Sequence, residues 1–205
     1  MPRNTLSTFL VILTAFGVWG CRASAQDKGT APEAILNAAF ISDLKGWLDV
    51  PVVRMTVESR NRLHEKTGQD EIDALDKQWR AETKATDQPL ITAVLAHPLS
   101  TYLTRIQAGS AGLYTEIFIM DAKGLNAGQS SITTDYWQGD EAKYQKTFPV
   151  GPDAVFIDEP EYEDKSATWR RQINVTLTDE TGKPIGAATV EINVTELSRR
   201  QSARN

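Results

Sequence analysis

An α+β fold, with a long N-terminal helical layer packed on a five-stranded antiparallel sheet, is what this sequence predicts. Three observations carry that expectation. Apolar residues recur at spacings of three and four through the first half of the chain, and at spacings of two after Leu113. The two regimes meet at Gly109-Ser110-Ala111-Gly112, a run of small residues that closes the helical half. The final strands are joined by connections of hairpin length, which pair neighbours antiparallel.

The elements follow in order. From Ala31 to Leu48, Ile35, Leu36, Ala39, Phe40, Leu44, Trp47 and Leu48 form an amphipathic stripe. Pro51 interrupts it. Val52 to Lys66 continues in helical style, with Val53, Val57 and Leu63 among many charges, and His64 reads as solvated there. In Asp70 to Ala85, Ile72, Leu75 and Trp79 share a stripe, while Asp73, Asp76, Lys77, Arg80 and Glu82 lie on the solvent side. Gln88 to Gln107 gives two short helices parted by His97-Pro98, with His97 in a capping or packing role.

Leu113 to Asp121 is rich in Ile, Phe and Tyr and reads as the first strand. Asp121-Ala122-Lys123-Gly124 turns the chain, and Leu125 to Ser131 returns as a more polar strand. Asp135 to Tyr144 breaks the pattern and holds a short helix starting at Gly139. Asp153 to Glu163 contains a third strand, Trp169 to Thr178 is a fourth and Ile185 to Glu196 a fifth. In the fourth, Trp169, Ile173, Val175 and Leu177 share one face; Arg170, Gln172, Asn174 and Thr176 share the other. In the fifth, Ala188, Val190, Ile192 and Val194 oppose Thr189, Glu191, Asn193 and Thr195. One buried and one solvated face gives this alternation.

The chain has 205 residues, a length that suits one domain, with 22 basic and 27 acidic side chains. The net charge of −5 argues against nucleic acid as a partner, which asks for a basic footprint. One cysteine and two histidines leave little material for a metal site, and no cofactor is expected. Arg3 precedes an apolar run from Leu6 to Gly20, shorter than the roughly 20 residues a membrane span needs. The run ends at Ala23-Ser24-Ala25, so residues 1–25 read as a cleaved export signal to the periplasm. Gly20-Cys21 offers the alternative of a lipoprotein site. Residues 26–197 then form the single domain, with no stable transmembrane anchor, and 198–205 form a polar, disordered tail that frays.

Few residues are candidates for chemistry. Arg171 falls on the apolar parity of its strand, beside Trp169. It grips an anion in a pocket, or it is a strand-end arginine paired with Asp158 or Glu161. Asp135-Tyr136-Trp137-Gln138-Gly139-Asp140-Glu141 mixes rings with polar groups. Tyr136, Trp137 and Asp140 could wall and rim a small ligand. Alternatively the rings cover the sheet edge and the acids favour a helix N-terminus. No nucleophile-and-base pattern, Walker loop or dinucleotide fingerprint is present, so no enzyme activity is expected.

The chain from Leu113 to Leu197 resembles the Cache (PDC) family of extracytoplasmic sensor domains, which are PAS-like. The pieces that carry the resemblance are Glu116 to Asn126, Ser131 to Tyr144 around Asp-Tyr-Trp-Gln-Gly-Asp-Glu, Asp158-Glu159, Gly182 to Ala187, and Val190 to Leu197. The Asp135 to Glu141 motif is similar to that of a stand-alone, MCP-like PDC subgroup. The resemblance implies a single sensor domain binding a small molecule between sheet and loops. Tyr136, Trp137 and Asp140 would lie near the loop over the pocket, with Trp169 and Arg171 on a central strand facing it. Many amino-acid-binding relatives carry an arginine just after the aspartate that matches Asp135; here Tyr, Trp, Gln and Gly follow. Most relatives sit between two membrane helices of a chemoreceptor or kinase, whereas here a separate membrane-bound histidine kinase or cyclase would read the ligand. The alternative function is an interaction module that docks on a membrane protein without a ligand.

Overall fold

The computed structural model describes residues 29–204 except 33 and 35. The export signal, its Ala25 boundary and Cys21 lie outside the described residues. The described residues form seven helices and one antiparallel sheet.

The helical layer comes first. α1 (Ala38–Leu48) begins at Ala38 rather than Ala31, because the Asn37 side chain accepts from the Phe40 amide at 3.0 Å and caps the helix there. α2 (Pro51–Leu63) opens on Pro51, whose missing N–H costs nothing at a first helical position. α3 (Gln69–Glu82), α4 (Pro89–Leu95) and α5 (Pro98–Gly109) follow. His97 caps α5, its Nδ1 accepting from the Leu99 amide at 3.2 Å. Burial, with Arg60 nearby, holds its pKa below the ordinary histidine value.

The sheet is built from β1 (Tyr114–Met120), β2 (Asn126–Gln129), β3 (Val155–Ile157), β4 (Glu161–Glu163), β5 (Thr168–Thr178) and β6 (Pro184–Asn193). The strand order is β2-β1-β6-β5-β3, and β4 also pairs with β5. The expected third strand is therefore two short ones on the same edge of β5, and the sheet has six strands rather than five. Pro160 stands between them and cannot donate to the ladder. A short helix, α6 (Ala142–Gln145), lies between β2 and β3.

The apolar faces expected of β5 and β6 meet the helices. Ile173, Val175 and Leu177 join Ala188, Val190, Ile192, Ile117 and Ile119, and this floor packs on Leu44, Leu48, Val53, Val57, Leu99 and Leu103. Each of the Val, Leu and Ile side chains contributes about 1.5–3 kcal/mol on burial. A second cluster gathers Ile72 and Trp79 of α3, Ile91 and Val94 of α4, Leu125 and Tyr136.

Three expectations change here. The chain after residue 197 is not a frayed tail but the end of α7 (Val194–Ser202), capped by Asn193. Leu197 is buried, and the Arg200 guanidinium donates to the Ser110 and Ala111 carbonyls at 3.0 and 2.7 Å, which anchors the helix against the end of α5. His64 is not solvated: it is 7% exposed, and its Nδ1 lies 2.6 Å from the Asp121 carboxylate. That contact, with the Asn61 bonds to the Ala122 amide and the Ile185 carbonyl, ties the end of α2 to two sheet turns. Glu82 is buried too, because its carboxylate accepts from the Ile91 amide at 3.0 Å and holds α4 on α3.

Candidate ligand-binding site

Arg170, Gln172, Asn174 and Thr176 of β5, with Thr189 and Glu191 of β6, point away from the helical layer by the alternation of a strand. Solvent was expected there. The structure instead buries Asn174, Thr176 and Thr189. Buried polar groups need partners. The Thr189 hydroxyl donates to Asn174 Oδ1 at 2.7 Å, and Asn174 Nδ2 donates to the Phe156 carbonyl at 3.1 Å.

The cover is α6 and the chain after it. Tyr144 and Phe148 pack on Phe118, Met120 and Ala187. The Lys143 ammonium lies 5.4 Å from the centroid of the Phe118 ring, and that of Lys146 lies 4.1 Å from Phe156. Beside this plug the face opens into a cavity of about 240 Å³. Arg170, Gln172 and Glu191 form its floor, Glu141 and Lys143 one wall, and the link from β3 to β4 the other.

The cavity is strongly charged. Arg170 Nη1 pairs with Glu191 Oε1 at 2.9 Å, and the Thr115 hydroxyl donates to the same oxygen. Lys143 Nζ pairs with Glu141 at 3.0 Å. Arg170 Nε is buried with no hydrogen-bond partner. Glu116 is the cross-strand neighbour of Glu191 on the same face. Burial first, and then repulsion by Glu191, push its carboxyl up to about 7. Ser131, Lys143 and Arg170 pull in the opposite direction without cancelling this.

The residues singled out from the sequence fall in three places. Arg171 is among the cavity's lining residues, and its Nε donates to the Asp158 carbonyl. Trp169 stands over the helical-side core and meets the Tyr162 ring edge-on, with centroids 5.3 Å apart. Tyr136, Trp137 and Asp140 belong to the loop that leads into α6. Tyr136 is closed inside the second core cluster, stacked on Trp79 at 5.3 Å. Trp137 Nε1 donates to the Lys123 carbonyl at 2.8 Å, and Asp140 is exposed. The structure thus brings none of these three to the cavity wall.

What the Asp135 to Glu141 segment builds is a knot. The Tyr136 and Trp137 amides both donate to Asp76 Oδ1, at 2.8 and 3.1 Å. Arg80 bridges Asp76 to Asp135, and Gln138 Nε2 donates to Asp135 Oδ1 at 2.6 Å. Gly139 passes under the Trp137 ring so closely that a Cβ there would overlap it. The knot aims Glu141 and Lys143, a few residues on, at the cavity. Arg170, Gln172, Glu191 and Lys143, which line the cavity, are not among the residues the sequence singled out. The signal for the first three was their shared parity on the polar face.

A second cavity, of about 250 Å³, lies between the α1–α2 corner and the end of β5. Its walls include the core side chains Leu48, Val53, Val175 and Leu177, and its Arg54 is held by Asp49 and Glu180. The first cavity differs from it in the charge that converges there, from Arg170, Glu191, Lys143 and Glu141. Among the described residues no group of three or more His, Cys, Asp or Glu side chains is placed to hold a metal ion. Among them, too, no helix is long and apolar enough to cross a membrane.

No family profile matches the chain, and no curated protein does. Solved structures similar to it include the ligand-binding domain of the Campylobacter jejuni chemoreceptor Tlp3 in complex with 4-methylisoleucine, at 14% identity and a TM-score of 0.37, covering 79% of this chain and 63% of that one. The ligand-binding domain of the Pseudomonas aeruginosa amino-acid chemoreceptor PctC with GABA is similar at 13% identity and a TM-score of 0.39, covering 78% and 62%. The ligand-binding domain of the Pseudomonas fluorescens chemoreceptor CtaA with L-valine is similar at 12% identity and a TM-score of 0.36, covering 67% and 68%. The chain spans less than two thirds of the length of the first two.

Proposed function

We propose that this protein is a small-molecule-binding sensory domain of Cache type, exported to the periplasm, and that it binds its ligand without turning it over. The observation that carries the reading is the cavity on the covered face of β5 and β6. There, charged and amide side chains from two strands, α6 and the β3–β4 link converge on one space of about 240 Å³. The sequence resemblance to sensor domains likewise implies a pocket between sheet and loops, but it set Trp169 and Arg171 facing that pocket, and Trp169 instead stands on the helical-side core. Tyr136 and Trp137 position the covering loop, Asp140 stands at its end, and Arg171 fixes the β3–β4 link through Asp158.

Signalling follows from the cover. α6 rests on the sheet through Tyr144, Phe148 and two cation–ring contacts, so an occupant of the cavity shifts the balance between arrangements of α6 and the β3–β4 link. The occupant must bind one arrangement better than the other. A membrane-bound histidine kinase or cyclase reads that difference.

A thermal-shift screen of small acids, amines and purines tests the reading. A ligand at 100 times its Kd adds about 2.7 kcal/mol of stability by mass action. We expect one chemical class to raise the melting point in proportion to the logarithm of its concentration. A flat screen, with a membrane protein co-purifying, would point instead to a docking module without a ligand.

A further inference from the structure

We infer that the cavity over β5 and β6 takes a small organic cation, an amine or amidine in its protonated form. This rests on the sensory reading of the same cavity and goes further by assigning the ligand's charge.

Each base of the cavity has a partner, although among the described residues Arg170 Nε has none and Arg171 has no carboxylate. Arg170 is paired with Glu191, Lys143 with Glu141, and Arg171 donates to the Asp158 carbonyl. Its acids are in excess. Glu159 and Glu161 stand at the rim, and among the described residues neither has a basic partner within ion-pair distance. Glu116 lies behind the floor with Ser131 as its hydrogen-bond donor. A concave site with an excess of one sign focuses its field on the entrant. An anion would have to pass the rim carboxylates and settle beside Glu191, which already neutralises Arg170. A cation meets those carboxylates on the way in and breaks no existing pair.

Size narrows the class. About 240 Å³ lies below the roughly 300–1,000 Å³ of drug-sized ligand pockets, which suits a monoamine or a short diamine. The Glu116 carboxyl adds a second mark. The charged groups that act on it are Glu191, Lys143 and Arg170. Burial and Glu191 keep it partly protonated near neutral pH, and an arriving cation favours its ionised form. Binding therefore draws a proton from Glu116, and affinity rises with pH through the neutral range.

Isothermal calorimetry of the purified chain tests this, with n-butylamine, putrescine and agmatine set against butyrate and succinate at pH 6 and pH 8. We expect at least one amine to bind and neither carboxylate to do so. Affinity should rise up to about tenfold between the two pH values. Glu116→Gln, which keeps the shape and removes the titration, should abolish that rise. Glu161→Gln, at the exposed rim, should weaken amine binding severalfold and keep the rise. Preference for a carboxylate, or silence from every amine, overturns the inference. If the chain from its host then carries a neutral or anionic molecule, only the assigned charge falls; if its mass is also bare, the sensory reading falls with it.

Discussion

Replacing Trp79 by alanine should cost about 3–5 kcal/mol of stability, the range for emptying a buried aromatic site. Trp79 is fully buried on α3 and stacks on Tyr136 with an interplanar angle of 18°. Its Nε1 donates to the Thr133 carbonyl at 2.9 Å. Alanine removes the ring, leaves Tyr136 facing a void and strips Thr133 of a buried donor. For a chain of this size the melting point should fall by roughly 6–20 °C. Urea unfolding followed by far-ultraviolet circular dichroism measures the loss. Trp79→Phe keeps a ring for the stack and loses the hydrogen bond with only part of the volume, so its cost should be smaller, about 1–3 kcal/mol. Equal losses for the two variants would contradict this ordering. Because Tyr136 heads the knot that leads to α6, the alanine variant should also loosen the cover of the cavity.

Gly186→Ala should be comparably damaging for a different reason. Gly186 lies on β6 beside β1, and a Cβ there would overlap the Met120 carbonyl oxygen while also reaching 3.1 Å from a Val57 methyl. A side chain can rotate away from such a contact, but a carbonyl in a paired central strand cannot. Overpacking commonly costs 1–3 kcal/mol, and a backbone clash falls at about the upper end. The same exchange at Gly46, which sits in α1 with open space around it, should stabilise by about 0.5–1 kcal/mol. Denaturant midpoints for the two variants should therefore move in opposite directions. A Gly186→Ala protein as stable as the parent would mean that β1 and β6 are not packed as described.

Much of this architecture is legible in the spacing of apolar residues. The helix boundaries at Pro51 and at His97-Pro98 and the apolar faces of β5 and β6 follow from local rules, because prolines and strand parity act within a few residues. What the spacing did not show is what covers the second face of the sheet. Asn174 and Thr189 look like solvent-facing residues, yet both are buried, on the face where Tyr144 and Phe148 pack on Phe118, Met120 and Ala187. The segment from Lys143 to Phe148 is too short to show a helical period. Arg171 stood out because it broke the apolar parity, while Arg170, on the polar parity, was unremarkable until its face proved to be covered. The Asp135 to Glu141 segment was legible as a dense motif but not as a knot. Its anchor, Asp76, sits on α3, and contacts between residues so far apart in sequence leave no local trace. The buried pair of His64 and Asp121 escaped notice for the same reason.

We propose that a small molecule occupies the cavity formed by Arg170, Gln172 and Glu191 beside α6. Native mass spectrometry of the chain purified from its own host tests it most directly, comparing the parent with Gln172→Trp, which fills the cavity from its floor. The prediction is a small-molecule adduct on the parent that is lost from a variant with an unchanged circular dichroism spectrum. A bare parent mass, or an adduct that survives the filling, would contradict it.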